Sequence, residues 1–261
     1  MKELELYEIK RLQFSILEAF SDYCKSNGLT FYLAYGTLIG AIRHKGYIPW
    51  DDDIDVIMPR PDYLKFIKNF THERYKVFCP ENNTDCPFVY GKLYDSLTHL
   101  DELTACKYNI GLNIDIFVLD GIPSDPQEAR KHIRDCSFWI NIMEVKKMGF
   151  TKGRSLLRNV ELALLKTLCS VVPYNVARDK VRLLNQKFAL AESDYCSDLS
   201  YTGALHMKKE VFDMAEGEFE RKIFPIPAGY DTWLTLQYGD YMKLPPEEKR
   251  ATHHDYKAYI K

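Results

Sequence analysis

An acidic run set inside apolar sequence constrains this chain more than any other feature. In the stretch GYIPWDDDIDVIMPRP, residues 46–61, Asp51, Asp52, Asp53 and Asp55 fall within five positions. If residues 53–58 form a strand, side chains alternate between its faces. Ile54, Val56 and Met58 then face a core, while Asp53 and Asp55 share the opposite face. Two strand rises put those two Cα atoms about 7 Å apart. Carboxylates facing one spot repel each other unless a cation lies between them. An all-oxygen donor set suits a hard divalent ion, Mg²⁺ or Mn²⁺. Asp51 is expected to assist from the edge and Asp52 to be dispensable.

A third acid stands alone in LNIDIFVLDG, residues 112–121. There Leu112, Ile114, Ile116 and Val118 share one face and Asp115 takes the other. If that strand lies beside the first, Asp115 completes the metal site or accepts a proton from an attacking hydroxyl. An EF-hand is a poor fit, because the glycine at its sixth position and the closing glutamate at its twelfth are missing. Upstream, Gly36-Thr37 lies where a strand turns into a helix expected to start at Thr37. A glycine admits a ligand close to the backbone, and a new helix offers N–H groups to phosphate. Arg43, His44 and Lys45 bring the positive charge that a polyphosphate needs. The same residues also fit a plain tight turn and a solvated basic turn.

The net charge of −2 gives no basic field calling for nucleic acid or an anionic membrane. The N-terminus is charged and amphipathic, unlike a secretory signal, and no apolar run reaches the ~20 residues a membrane span needs. Seven scattered cysteines, none in a C-x-x-C pair, suggest free thiols in a reducing cytoplasm. Apolar periodicity predicts a helix over residues 4–27, then strands and short helices to about residue 122. From 126 to 192 the pattern is mostly helical. The expected fold is α/β (α+β), a mixed sheet flanked by helices with a mostly helical C-terminal half. Residues 1–125 would form the catalytic core and residues 126–261 a helical, substrate-closing region, packed together as one compact unit.

The G-T turn, the D-I-D block and the later lone acid together resemble the nucleotidyltransferase superfamily. The longer string YGTLIGAIRHKGYIPWDDDID, with IDIFVLDG and FPIPAGYDTWLTLQYGDYMKLPPEEKRATHH, resembles the LicD family in particular. Fukutin-related proteins are more distant relatives. Two departures stand out: Val118 where the family more often has proline, and F-E-R-K, residues 219–222, where F-E-G is usual. The resemblance implies a Mg²⁺- or Mn²⁺-dependent transferase that moves phosphocholine, or a related phospho-alcohol, from a CDP-linked donor to a hydroxyl of a cell-surface glycan or its lipid-linked precursor. It implies Asp53, Asp55, Asp115 and Asp51 as metal carboxylates, with Gly36 and Thr37 on the phosphates. Any membrane contact would be peripheral, and the expected location is cytoplasmic. A choline head is held by aromatic faces, for which Trp50, Tyr238 and Tyr241 are candidates, although core packing is the commoner role for large aromatics. Lys92, Asp240 and His253 are further candidates for donor or acceptor contacts. The same carboxylates would also serve transfer of a nucleotide from a nucleoside triphosphate, and the fold would also serve an inactive sugar-binding scaffold.

Overall fold

The computed structural model describes residues 2–102, 108–149, 155–250 and 256–261. β1 (Lys2–Glu3) leads into α1 (Leu6–Ser26), where the Glu8 carboxylate accepts the Glu5 N–H. The apolar face predicted for this helix is the face it buries, with Ile16, Leu17, Phe20 and Cys24 fully enclosed. Gly28, at φ +61°, turns the chain out of the helix. β2 (Tyr32–Leu33) and α2 (Tyr35–Ile39) follow, and α2 runs on as a π-helical turn over Gly40–His44. α2 thus begins two residues before the expected Thr37, whose hydroxyl is engaged elsewhere.

β3 (Asp55–Pro59), α3 (Arg60–Asn69), β4 (Tyr75–Phe78), β5 (Gly91–Asp95), β6 (Thr98–Glu102) and β7 (Asn113–Ile122) complete the front half. α4 (Pro126–Lys147), capped by the Asp125 carboxylate, α5 (Leu156–Cys169) and α6 (Tyr174–Asn185) form the middle. The chain then returns as β8 (Tyr195–Asp198), β9 (Met207–Lys208), the hairpin β10 (Met214–Phe219) and β11 (Lys222–Pro227), α7 (Tyr230–Tyr238) and β12 (Tyr256–Ile260).

The main sheet is mixed, in the order β2-β3-β7-β5-β4, with β8 on the far half of β7 and β9 beyond it. Its β3–β7 pair is parallel and its other pairs are antiparallel. β3 lies between β2 and β7, so Val56, Ile57 and Met58 are all fully buried. The predicted alternation therefore separates two covered faces, rather than a core face from an open one. Register sets Asp55 beside Asp115, Asp115 beside Lys92, and Lys92 beside Phe78. Cross-strand neighbours share a face, so an acid-acid-base-aromatic row crosses four strands.

The C-terminal segment is woven into the front half. β8 pairs with β7, β12 pairs with both β1 and β6, and Phe212, Phe219 and Trp233 belong to the main core. The central sheet thus draws strands from both sides of residue 125. The middle helices bury a second cluster, in which Ile140, Met143, Ala177 and Val181 meet Val89 and Ile122. The F-E-R-K departure is a two-residue hairpin turn with Glu220 and Arg221 both at positive φ, the twist that closes a hairpin tightly. Glu220 fastens this turn to the upstream loop: its N–H donates to the Lys45 carbonyl at 3.0 Å, and its carboxylate accepts the Tyr47 N–H at 3.1 Å.

Candidate active site

Asp51, Asp53 and Asp55 line one cavity of about 250 Å³, together with Tyr35, Gly36, Trp50 and Tyr238. Asp53 also borders a second, smaller cavity of about 50 Å³, lined by Gln13, Asp52, Lys92, Asn113, Asp115 and Tyr256. The backbone that presents these acids is pinned from several elements. The Asp55 N–H donates to the buried Thr37 hydroxyl at 2.8 Å, and the Asp115 N–H donates to the Ile54 carbonyl at 2.9 Å. A side chain at position 36 would place its Cβ 2.8 Å from the Asp51 carboxylate, so glycine there makes room for that acid.

The electrostatics follow the geometry. Burial, then the charges of Asp53, Asp115 and Asp51, hold the Asp55 carboxyl well above the usual carboxylate range, with Lys92 acting in the opposite direction. Asp115 is ion-paired with Lys92, whose ammonium also donates to the Asn113 side-chain oxygen at 3.1 Å. The carboxylates thus form two groups joined by Asp53, with three facing the larger cavity and Asp115 held by its lysine.

The other residues singled out in the sequence are dispersed. Thr37 is buried and its hydroxyl is engaged by β3. Arg43 donates to the Tyr241 carbonyl and to the His44 ring, and Lys45, in the left-handed conformation, faces the hairpin. None of the three basic residues is among those lining the carboxylate cavity. Trp50 and half-exposed Tyr238 do line it, and the Arg250 guanidinium lies 5.5 Å from the Trp50 ring centre. Tyr241 is buried, with its hydroxyl on Asp231 at 2.7 Å, and exposed Asp240 caps a turn at Lys243. His253 lies outside the described residues. Asp52, expected to be dispensable for the metal, is not among the residues lining the carboxylate cavity, and its backbone is what the fold uses. It is 4% exposed, and its carbonyl accepts both the Gln13 amide and the Tyr256 hydroxyl, each at 2.9 Å. β12 thereby clasps the acidic loop.

A further group was not anticipated from sequence. Tyr35 sits at φ +46°, a conformation an aromatic residue adopts only where its surroundings enforce it. Its hydroxyl donates to Asp198 at 2.6 Å, and the other Asp198 oxygen accepts the Ser200 N–H at 2.8 Å. Burial pushes the Asp198 carboxyl up to about 6, against these hydrogen bonds. A raised carboxyl contributes stability that is complete below its unfolded value and is lost as pH rises through the folded one. The wild type should therefore gain on Asp198→Asn by about 1–3 kcal/mol between about pH 7.5 and about pH 4. Denaturant melts of both proteins check this, and a difference independent of pH contradicts it.

Among the described residues, no three His, Cys, Asp or Glu side chains already stand at metal-ligating spacing. The donor set nevertheless fits a hard divalent cation. It is all carboxylate, it faces one cavity, and the charges of the others raise the proton affinity of Asp55, which a bound cation would relieve.

Fold and site together define a nucleotidyltransferase-type domain. A family model described as LicD/FKTN/FKRP, nucleotidyltransferase domain, matches residues 28–120. The chain is 34% identical over 274 aligned residues, covering 100% of both proteins, to the lipopolysaccharide cholinephosphotransferase LicD of Haemophilus influenzae. It belongs to the LicD family. Shorter similarities link it to two uncharacterised proteins. One, from Rickettsia typhi, is 28% identical over 109 residues, 38% of this chain and 33% of that one. The other, from Rickettsia prowazekii, is 36% identical over 63 residues, 24% of this chain and 21% of that one.

Proposed function

We propose that this protein transfers phosphocholine from a CDP-linked donor to a hydroxyl of lipopolysaccharide or its precursor, releasing CMP. The observation that carries the reading is the convergence of Asp51, Asp53 and Asp55 on one cavity, in a chain similar along its whole length to a lipopolysaccharide cholinephosphotransferase. The acceptor oxygen attacks the donor's distal phosphorus. A new P–O bond forms, the bond to the bridging oxygen breaks, and the electron pair leaves with CMP. The hydroxyl proton passes to a carboxylate of the cluster. Asp115, oriented by Lys92, is our candidate for that role. Asp51, Asp53 and Asp55 would hold Mg²⁺ or Mn²⁺, which when bound would neutralise charge on the pyrophosphate.

Nucleotide transfer from a nucleoside triphosphate is the second reading, favoured only by the nucleotidyltransferase description of the matching family model. Incubation with radiolabelled CDP-choline and lipopolysaccharide tests the first. Label in the glycan supports it, and label confined to the donor opposes it.

We assign the reaction to the cytoplasm, where free cysteines persist; the six among the described residues are unbridged. Among the described residues no single helix is long and apolar enough to cross a membrane. Leu157, Leu164, Leu168 and Val171, on α5 and the turn after it, are each 63–83% exposed. This row supports peripheral contact with the lipid layer that holds the acceptor. Leu164→Ser/Leu168→Ser should lose most co-sedimentation with lipopolysaccharide vesicles while its melting temperature is unchanged. Undiminished sedimentation contradicts the assignment.

A further inference from the structure

A cavity of about 260 Å³ lies beside the carboxylates, lined by Tyr90, Phe117, Tyr201, Ile140, Met143 and Glu144 among others. Its position follows from the sheet. Phe117 is two residues beyond Asp115 on β7 and so shares its face, about 7 Å along the strand. Tyr90 precedes β5, whose Gly91 pairs with Ile116, and its ring centre lies 4.6 Å from that of Phe117. The Tyr35 ring packs edge-on against Phe117 at 5.1 Å and Tyr201 at 5.8 Å. Tyr35 also lines the carboxylate cavity, so one aromatic ring partitions the two spaces. α4 closes the far side with buried Ile140 and Met143 and half-buried Glu144.

This lining suits one kind of chemical group. Three aromatic rings, the apolar side chains of Val89, Ile140 and Met143, and a carboxylate offer diffuse negative charge and apolar contact. A quaternary ammonium has no N–H to donate and is held by ring faces. Lys147 also borders the cavity, with its ammonium bonded to Glu144 at 2.8 Å and 5.4 Å from the Phe88 ring centre. The Glu144 charge is therefore shared, and the rings carry the recognition. Tyr241 is a poorer candidate, sealed in the core. Trp50 and Tyr90 each already have a cation near the ring, Arg250 at 5.5 Å and Lys92 at 5.7 Å, so Phe117 and Tyr201 are the rings left for a ligand cation.

We propose that the Tyr90–Phe117–Tyr201 cavity holds the trimethylammonium head of the transferred group while its phosphate lies at the carboxylates. The assignment rests on the phosphocholine reading above and gives α4 a role, that of closing the head-group subsite. It also predicts discrimination by degree of methylation, because a primary ammonium is better hydrated and gains less from aromatic faces.

Calorimetric titration of phosphocholine and phosphoethanolamine into wild-type protein, Phe117→Leu, Tyr201→Leu and Glu144→Lys tests this. Wild-type protein is expected to bind phosphocholine about 10-fold tighter than phosphoethanolamine. Each ring truncation should raise the phosphocholine Kd about 5- to 10-fold and leave the Kd for CMP unchanged. Glu144→Lys, at a half-exposed position that tolerates substitution, should weaken phosphocholine binding by charge alone. Equal wild-type affinity for the two ligands, or an unchanged phosphocholine Kd in all three variants, overturns the proposal. If wild-type protein turns over CDP-choline in that case, the subsite is wrong and the function stands. If it ignores CDP-choline and consumes CDP-ribitol, the function fails and the subsite falls with it.

Discussion

Asp55→Asn should lower kcat for phosphocholine transfer by about 10³-fold, the scale on which removal of a single preorganised electrostatic contact acts, and should leave the protein better folded. The carboxyl at this position is buried, faces Asp53 and Asp51, and neighbours Asp115 across the strand pair. An amide keeps the shape and removes the charge. The Thr37 hydroxyl bonds the backbone N–H of residue 55 rather than its side chain, so the anchor survives the substitution. The sign of the stability effect follows from the raised carboxyl. Its contribution is present at low pH and is lost as pH rises through its folded value, so the variant gains on the wild type as pH rises above the ordinary carboxylate range. Turnover assays beside thermal melts check both halves. Retained turnover would remove Asp55 from the chemistry, and a variant less stable at alkaline pH would contradict the electrostatic account of the cluster.

The second large effect lies away from the chemistry. The Arg60 guanidinium donates twice to Asp120, at 2.7 and 2.6 Å, and both side chains are buried where α3 starts beside the end of β7. Asp120→Ala leaves an uncompensated buried charge and should destabilise the protein by about 3–5 kcal/mol. The melting temperature should fall by on the order of 10 °C. Replacing both partners, as in Arg60→Met/Asp120→Leu, should recover most of that loss, because two apolar side chains need no charge compensation. If the double variant melts as low as Asp120→Ala, packing rather than the lone charge sets the loss.

Much of the framework was legible in the chain itself. α1 announced its buried face through Ile16, Leu17 and Phe20, and the D-I-D-V-I-M block announced a strand, although β3 starts only at Asp55 and Asp53 lies in the segment before it, so strand alternation does not place the two acids together. Pairing of the Asp55 and Asp115 strands turned that pattern into a row of neighbours. What was not legible depends on contacts distant in sequence. Lys92 meets Asp115 only through the β5–β7 register, and Arg43 finds the Tyr241 carbonyl 198 residues further on. Asp52 looks solvated beside its acidic neighbours, yet the Tyr256 hydroxyl arrives 204 residues later to bond its carbonyl. Tyr35, Asp198 and Tyr201 carry no periodic signal at all, since each is a single polar residue in an ordinary run. Positive φ at Tyr35 marks the site from the structure alone.

The most direct test of the central claim is product analysis with purified protein, CDP-choline and lipopolysaccharide, with and without Mg²⁺. The account predicts one CMP released for each choline joined to the glycan, only with the divalent cation present, and no pyrophosphate from nucleoside triphosphates. Pyrophosphate release from a triphosphate, with CDP-choline left intact, would contradict it.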